Sequence, residues 1–556
     1  MDLGGPLTQL GSSYRALAAV FANPSLRRVQ LAWAGTSFAT WSYVIGLGVY
    51  AFDAGGATAV GLVALVRLLP GALAAPFGGV LVDRHSRRDV LIASSLTGAA
   101  ALGGSAAAGA IGSPPALVFA LAGLFTVFSS PYIPAQNALL PIVAKTPQEL
   151  AAANVTHSVM DNVGFLSGSI LAGVLLATGS PQLVFAVAAL VGLTATLALS
   201  GVAADRRPTY RQDPELAGAM RQTAMGFRSL WSDQPLRLLG GALTVLVFFE
   251  GAADVLAVIV ALQLLGLAQS SVGYLNAAWG IGALLGGAGL ALLLNRGRLA
   301  IGLIAGSLIA GAGLALPGAW PVAVAAYAAW ILMGVGYTFV EVVAHTMLQR
   351  LGSDEVLGRV LGFLETSRFA AMALGSVAAP AAVAVLGIRG ALICLGAVLP
   401  VFAFLRWGPL RRFEAGAPVE ERPYCLLREN SIFAPLPVAT LERLCHSLTP
   451  VEAMPGDDII TQGERGDRFY LIDRGEVEVR RDGAIRHVEG DGGCFGEIAL
   501  LRDVPRTATV RATRPTRLMA LERDRFIGAV TGHLRSHQAA DDVIEARSPP
   551  LARSGG

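Results

Sequence analysis

Charge is scarce in this 556-residue chain. Charged residues make up 15%, against about a quarter in soluble domains, and of 42 basic side chains only Lys145 is lysine. The lysine deficit reads as a compositional bias, so abundant arginine is not by itself a phosphate-binding signal. Four cysteines, Cys394, Cys425, Cys445 and Cys494, show no CxxC pairing and no metal-ligand spacing, which excludes a zinc site and a disulfide framework. The net charge of +3 argues against a nucleic-acid binder or a disordered chain. No secretory signal is read at residues 1–28, which are mixed and polar.

Apolar residues are what the chain has instead: 54% of the total, with a mean hydropathy of +0.58. The average conceals a division. Residues 1–406 carry 21 basic and 16 acidic side chains, whereas the last 150 residues carry 21 and 23. A membrane body is therefore followed by a charge-rich soluble domain. Stretches of about 20 apolar residues, enough to cross a bilayer, are expected near 30–52, 59–82, 90–111, 115–140, 152–177, 182–203, 238–264, 271–294, 299–316, 320–342, 357–386 and 388–406. These make twelve helices.

The loops carry a strong asymmetry. Seventeen basic residues fall on one side, from Arg15, Arg27 and Arg28 through Lys145 and the central loop to Arg350 and Arg359, and Arg389 stands alone on the other. The positive-inside rule then predicts cytoplasmic termini and a multi-pass protein of the inner (plasma) membrane. FANPSLR at 21–27 is echoed by WSDQPLR at 231–237, Asp83-Arg84 by Asn295-Arg296, and Gly168-Ser169 by Gly375-Ser376, at offsets of 210, 212 and 207. A near-constant offset indicates two six-helix halves. A hydrophobic receptor or anchor is the blander alternative.

GVLVDRHSRR at 79–88 resembles the loop signature of the major facilitator superfamily, with Gly79, Asp83, Arg84, Arg87 and Arg88 in register and Ser86 replacing a glycine. The resemblance implies a conformational-gating loop, in which a carboxylate and arginines bond neighbouring helix ends and hold one access state. SPYIPAQNALLP at 130–141 and ELAAAN at 149–154 look like the enterobactin-exporter and macrolide-efflux branch. Gly164, Gly168, Ser169, Ala172 and Gly173 are similar to the antiporter signature, two positions altered. Intramembrane charges are costly and so mark function or buried pairs. Candidates for proton coupling or substrate binding are Glu250, Asp254, Glu341, Asp161 and Arg67. Glu250 lies near mid-membrane with Asp254 one turn on, while Glu365 and Arg368 are spaced to pair with each other.

From Ile432 the pattern changes to short strands broken by glycine turns, as in DIITQG at 458–463 and FYLIDRG at 469–475, which predicts a small β-barrel or jelly roll. Helical periodicity follows from about 523 to 546. FGEIALLRDVPRTATV at 495–510 resembles the phosphate-binding cassette of cyclic nucleotide-binding domains. By that resemblance Glu497 accepts from the ribose, Arg506 clamps the phosphate, and amides after Gly496, around Ile498 and Ala499, complete the cradle. Thr507 leans toward guanine without excluding adenine, so both cAMP and cGMP remain as regulatory ligands.

The expected fold class is thus an all-α, twelve-helix membrane protein with a C-terminal β-barrel and flanking helices. The expected divisions are 1–28, an N-terminal cytoplasmic segment; 29–203, the first half; 204–237, a central loop; 238–406, the second half; 407–428, a linker; 429–546, the cyclic nucleotide-binding domain; and 547–556, a tail. The expected function is proton-coupled export of a small molecule such as a drug or siderophore, regulated by cyclic nucleotide, in contact with the bilayer and with no nucleic acid. A lipid or lysophospholipid flippase and a non-transporting membrane sensor are the alternatives. No filter loop suggests a channel, no helix-turn-helix a transcription factor, and no nucleophile–base–metal set an enzyme. Neither a metal nor a required cofactor is expected.

Overall fold

The computed structural model describes residues 20–202, 225–228, 230–231, 233–294, 299–351, 354–406, 408, 421–436, 438–445, 447–531 and 534–547. Most of the expected N-terminal segment, central loop, linker and tail therefore lies outside the described residues, including Arg15, Arg206, Arg207, Arg211, Arg221, Arg296 and Arg298. The chain divides into two compact units, Met1–Phe413 and Glu414–Gly556.

The first unit is helical: α1 Pro24–Arg84, α2 Arg87–Ala110, α3 Pro115–Ser129, α4 Tyr132–Val143, α5 Pro147–Leu176, α6 Pro181–Ser200, α7 Gln234–Ile259, α8 Ser270–Leu294, α9 Leu299–Ala319, α10 Ala323–Leu351 and α11 Asp354–Leu405. The starts follow local chemistry. Asn23, Thr146 and Ser180 each accept a bond from a first-turn amide, and a proline follows each cap where its missing N–H costs nothing. The sequence echo 21–27 and 231–237 opens α1 and α7, so the two segments occupy equivalent places.

Nine stretches, rather than the expected twelve, stand as long apolar helices among the described residues. The causes are local. In α1, Gly55 and Gly56 leave helical geometry, Gly56 at φ 65°, and in α11 Gly387 does so at φ 71°, yet the helix on either side is continuous with them. α8 is not one of the nine, and the side chains of its last four residues, 291–294, lie outside those described. The most enclosed stretch is Gln234–Leu264, 78% buried where the others range from 28% to 56%. A helix enclosed over most of its surface has little room to turn a charge toward lipid, and Glu250 on it is 7% exposed. It packs on α11 and α10, while α1 packs on α5, α6 and α11, and α5 on α8.

The second unit begins with α12 Glu421–Glu429 and α13 Val438–Cys445. The first of these occupies the end of the stretch read as linker. Its sequence is amphipathic, burying Leu426 and Leu427 against Phe433 and Phe526. Eight strands follow: β1 Thr449–Ala453, β2 Asp458–Ile460, β3 Arg468–Arg474, β4 Val477–Arg481, β5 Ala484–Glu489, β6 Cys494–Phe495, β7 Thr509–Ala512 and β8 Thr516–Glu522. They form two antiparallel sheets in the orders β1-β8-β3-β6 and β2-β7-β4-β5. Ile460, Ile472, Val477, Phe495, Val510 and Leu518 fill the space between them. The β4–β5 turn is Asp482-Gly483, both at positive φ, the geometry that suits a two-residue hairpin. Between β6 and β7 lies α14 Glu497–Leu501, and α15 Arg523–Thr531 and α16 Leu534–Arg547 close the unit.

Candidate functional site

The cassette between β6 and β7 is built around one backbone reversal. Phe495 is fixed by pairing with Tyr470 and by ring stacking on it at 5.1 Å. The chain then turns at Gly496, φ 96°, directly into α14. A side chain there is strained by the φ alone, and its Cβ would stand 2.9 Å from Arg506 Nη1 and 3.1 Å from the Arg468 carbonyl. Gly496 is needed for both reasons.

Arg506 is 5% exposed. Its Nη1 donates to the Gly496 carbonyl at 3.1 Å, and its Nη2 to the Arg468 carbonyl at 2.7 Å and to Asp467 Oδ1 at 3.4 Å. The main chain is held as well, with Arg506 N donating to the Glu464 carbonyl at 2.7 Å. Burial pulls the guanidinium below its ordinary value, against the opposing pull of Tyr470 and Asp467. The cation is nevertheless fixed in place beside the first turn of α14, where Glu497 and Ala499 are buried and Ile498 and Thr507 are half-buried. All six predicted cassette residues, Gly496, Glu497, Ile498, Ala499, Arg506 and Thr507, therefore meet in one small region. Arg523, at the start of α15, clamps the far side by bonding Asp503 at 2.5 Å and the Gly466 carbonyl at 3.2 Å. That contact was missed because its partners are 20 and 57 residues away and share no motif.

In the membrane unit the charges gather around α7. Glu250 accepts from Tyr337 Oη at 2.9 Å and from Arg368 at 3.3 Å on both oxygens. Arg368 thus has a long-range partner on the facing helix, while its expected pairing with Glu365 lies outside the described residues. Glu341 and His345 line the same cavity as Tyr337 and Arg368. Asp161 of α5 accepts from Ser37 of α1 at 2.7 Å and lies within electrostatic range of Glu250, Glu341 and Arg368. One turn beyond Glu250, Asp254 shares a second cavity with Arg67, Trp41 and Asn276.

A polar cluster between α1 and α5 had not been anticipated. His157 stacks on Trp33 at 4.6 Å and meets Gln136 at 3.0 Å, one turn before Asp161. The signal lay in the sequence as Asn154, His157, Ser158, Asp161 and Asn162, a polar stripe on one face of α5. Of the loop at 79–88, Arg88 donates to the Ser200 carbonyl at 2.7 Å, and Arg28 to that of Gly201, so two cations sit at the C-terminal end of α6. Arg84 is exposed, Arg87 half-buried, Gly79 has open space where a Cβ would be, and the Asp83 side chain is outside those described. Gly164 and Gly168 let α5 touch α1, and Gly173 meets Gly273 of α8, where a Cβ on Gly273 would stand 2.4 Å from Gly173 N. Tyr43 is fully buried, bonded to Ser105 and packed on Phe125 and Phe185.

Residues 31–375 match the family described as Major Facilitator Superfamily, and residues 450–533 match the Cyclic nucleotide-binding domain. A cAMP-dependent protein kinase regulatory subunit of Yarrowia lipolytica is 39% identical over 106 residues, which are 19% of this chain and 28% of that protein. The chain thus spans under a third of that relative's length. Among solved structures, the regulatory domain of Toxoplasma gondii PKA crystallised with cAMP is 30% identical over 20% of this chain and 44% of its own, with a TM-score of 0.20. The sensor domain of the transcriptional regulator DNR from Pseudomonas aeruginosa is 24% identical over 23% of this chain and 94% of its own, TM-score 0.22.

Proposed function

The chain belongs to the Major Facilitator Superfamily, and from that membership, with a cyclic nucleotide-binding domain in the same polypeptide, we propose a proton-coupled exporter of a small molecule whose transport is set by a cytoplasmic cyclic nucleotide. It is a multi-pass membrane protein. We read twelve spans, taking α1 and α11 as two each at their glycine breaks, joining α3 with α4, and adding α8. The motifs at 130–141 and 149–154 favour the enterobactin-exporter and macrolide-efflux branch.

The observation that carries the regulatory half is Arg506, held rigid and buried beside Gly496 and the amides of α14. In the proposed complex its guanidinium meets the cyclic phosphate, Glu497 accepts from the ribose 2′-hydroxyl, and the amides of Ile498 and Ala499 face the remaining charge. The Yarrowia relative's name favours cAMP over cGMP. For the transport half, Glu250 is the proton carrier. While it is ionised, Arg368 and Tyr337 hold it. Protonation cancels the attraction to Arg368 and frees α11 to move against α7. Asp161 and Glu341 keep the cavity acidic, and Arg28 and Arg88 at the end of α6 brace one access state. Driving the balance of states from 1:99 to 99:1 requires about 5.5 kcal/mol of differential nucleotide affinity.

The test is transport in proteoliposomes under an imposed proton gradient, with saturating cAMP on the face carrying the C-terminal domain. A several-fold change in rate is expected. Rates indifferent to nucleotide, in protein that binds it, sink the regulatory reading; rates indifferent to the gradient sink proton coupling.

A further inference from the structure

The cavity holding Asp254 and Arg67 has the chemistry of a binding site. Asp254 sits on α7 and Arg67 on the second part of α1, so one charge comes from each half. They lie within electrostatic range of each other, yet among the described residues neither makes an ion pair or a hydrogen bond, and Asp254 Oδ2 is buried without a partner. Two half-buried opposite charges that face one space without bonding, one of them with a buried oxygen unmet, form an arrangement that persists where something else completes it.

What completes them must carry both signs. A lone cation on Asp254 leaves the guanidinium unmet, and a lone anion on Arg67 leaves the carboxylate unmet. The space admits roughly three water molecules, comparable to an ammonium, a carboxylate and the carbon between them. Trp41, Val60 and Val258 supply an apolar wall for a short side chain, and Asn276 adds a polar edge. Glu250 is already engaged by Arg368 and Tyr337, so the two acids, one turn apart, are not equivalent.

We propose that Arg67 and Asp254 bind a small zwitterion with an amino acid's head group, its carboxylate on Arg67 and its ammonium on Asp254. The proposal rests on the transporter reading for its physiological meaning, though binding is testable without it. Because the two charges come from different halves, the occupant also ties those halves together, as alternating access requires of a substrate.

Purified full-length protein is melted in the presence of L-alanine, L-alaninamide (ammonium only) and N-acetyl-L-alanine (carboxylate only). Alanine is expected to stabilise it, with neither half-probe doing so at tenfold higher concentration. Arg67→Gln and Asp254→Asn, shown by gel filtration and circular dichroism to fold, should each weaken alanine at least tenfold. Alaninamide binding as well as alanine, with Arg67→Gln silent, replaces the proposal with a simple cation site. Stabilisation by none of the three overturns it in favour of a hydration pocket. Counterflow of labelled alanine separates the two readings: binding without movement leaves the site standing and sinks the transporter, while proton-driven movement of another substrate without alanine binding does the reverse.

Discussion

Two aspartates in this chain, one buried and one half-buried, are treated in opposite ways. Asp473, on β3, is 2% exposed and is met by Arg422 of α12, which also donates to its main-chain carbonyl at 3.0 Å, and by Arg517 of β8 at 3.6 Å. Asp254, on α7, has a buried oxygen with no partner among the described residues. The same contrast holds for the arginines: Arg506 is pinned by two carbonyls, and Arg67 by nothing among the described residues. A charge that must hold a shape is closed off by its neighbours. A charge that must exchange partners is left open, and the surrounding helices bear the cost.

The strongest test of that contrast is Glu250→Gln, which removes the one cavity acid bonded on two sides. Proton-driven transport is expected to fall below detection while nucleotide affinity stays within twofold, measured in proteoliposomes and by calorimetry. The amide keeps a bond with Tyr337 and loses the ionic attraction to Arg368, so insertion and folding are retained. Near-normal transport takes Glu250 out of the mechanism.

Arg506→Ala is the matching test in the nucleotide unit. Removing one partner of a buried charge pair costs about 2–5 kcal/mol, equivalent to roughly thirtyfold to several thousandfold in affinity. Calorimetric titration with cAMP and cGMP reads it directly. Unchanged affinity means that the cassette does not hold phosphate through this side chain.

These two sites were not equally legible in the sequence. The cassette is one contiguous run whose turn, short helix and clamp lie within sixteen residues, so chain order and spatial order coincide from Phe495 to Val510. The two membrane cavities are assembled from α1, α7, α8 and α11 and from α7, α10 and α11. Their acids announced themselves by their cost in lipid, but the partners of those acids did not: nothing in the sequence joins Glu250 to Tyr337, 87 residues on, or to Arg368, 118 residues on. His157 was hidden for the same reason, since a lone histidine on a mostly apolar helix has meaning only through Trp33 and Gln136. Helices start at Asn-Pro, Thr-Pro and Ser-Pro, ahead of the apolar stretches expected from 30, 152 and 182, and Gly55, Gly56 and Gly387 bend the chain without stopping it.

Arg422→Ala asks whether closure of Asp473 transmits the nucleotide signal. Arg422 is the second residue of α12, which follows in the chain from the membrane unit, and its bonds fix that helix to β3. The variant should bind cAMP within about threefold of the parent, as Asp473 is on the opposite end of β3 from the Arg468 carbonyl that holds Arg506. Its transport should lose most of its response to nucleotide. A full response means that the signal leaves the barrel by another route.

The smallest effect is expected where a closed pair stands in the open. Arg511 donates to both oxygens of Asp458 at 2.7 and 2.8 Å, bridging β7 and β2, and this bond, followed by the charge of Arg480, holds the Asp458 carboxyl below its ordinary value of 3.8. A carboxyl whose folded-state value is depressed adds stability that is fully present above the unfolded value. That stability is lost as pH falls through the folded one. Asp458→Asn should therefore speed amide exchange in β2 and β7 slightly and by a constant factor from neutral pH down to about pH 5. The difference from the parent should close as pH drops below 3.8. Both side chains are solvent-accessible, so water and salt screen the pair and the effect shrinks as ionic strength rises. A difference that instead widens on acidification means that Asp458 is protonated more readily in the folded chain than outside it. The pair would then belong with the open charges of α7 rather than with Asp473.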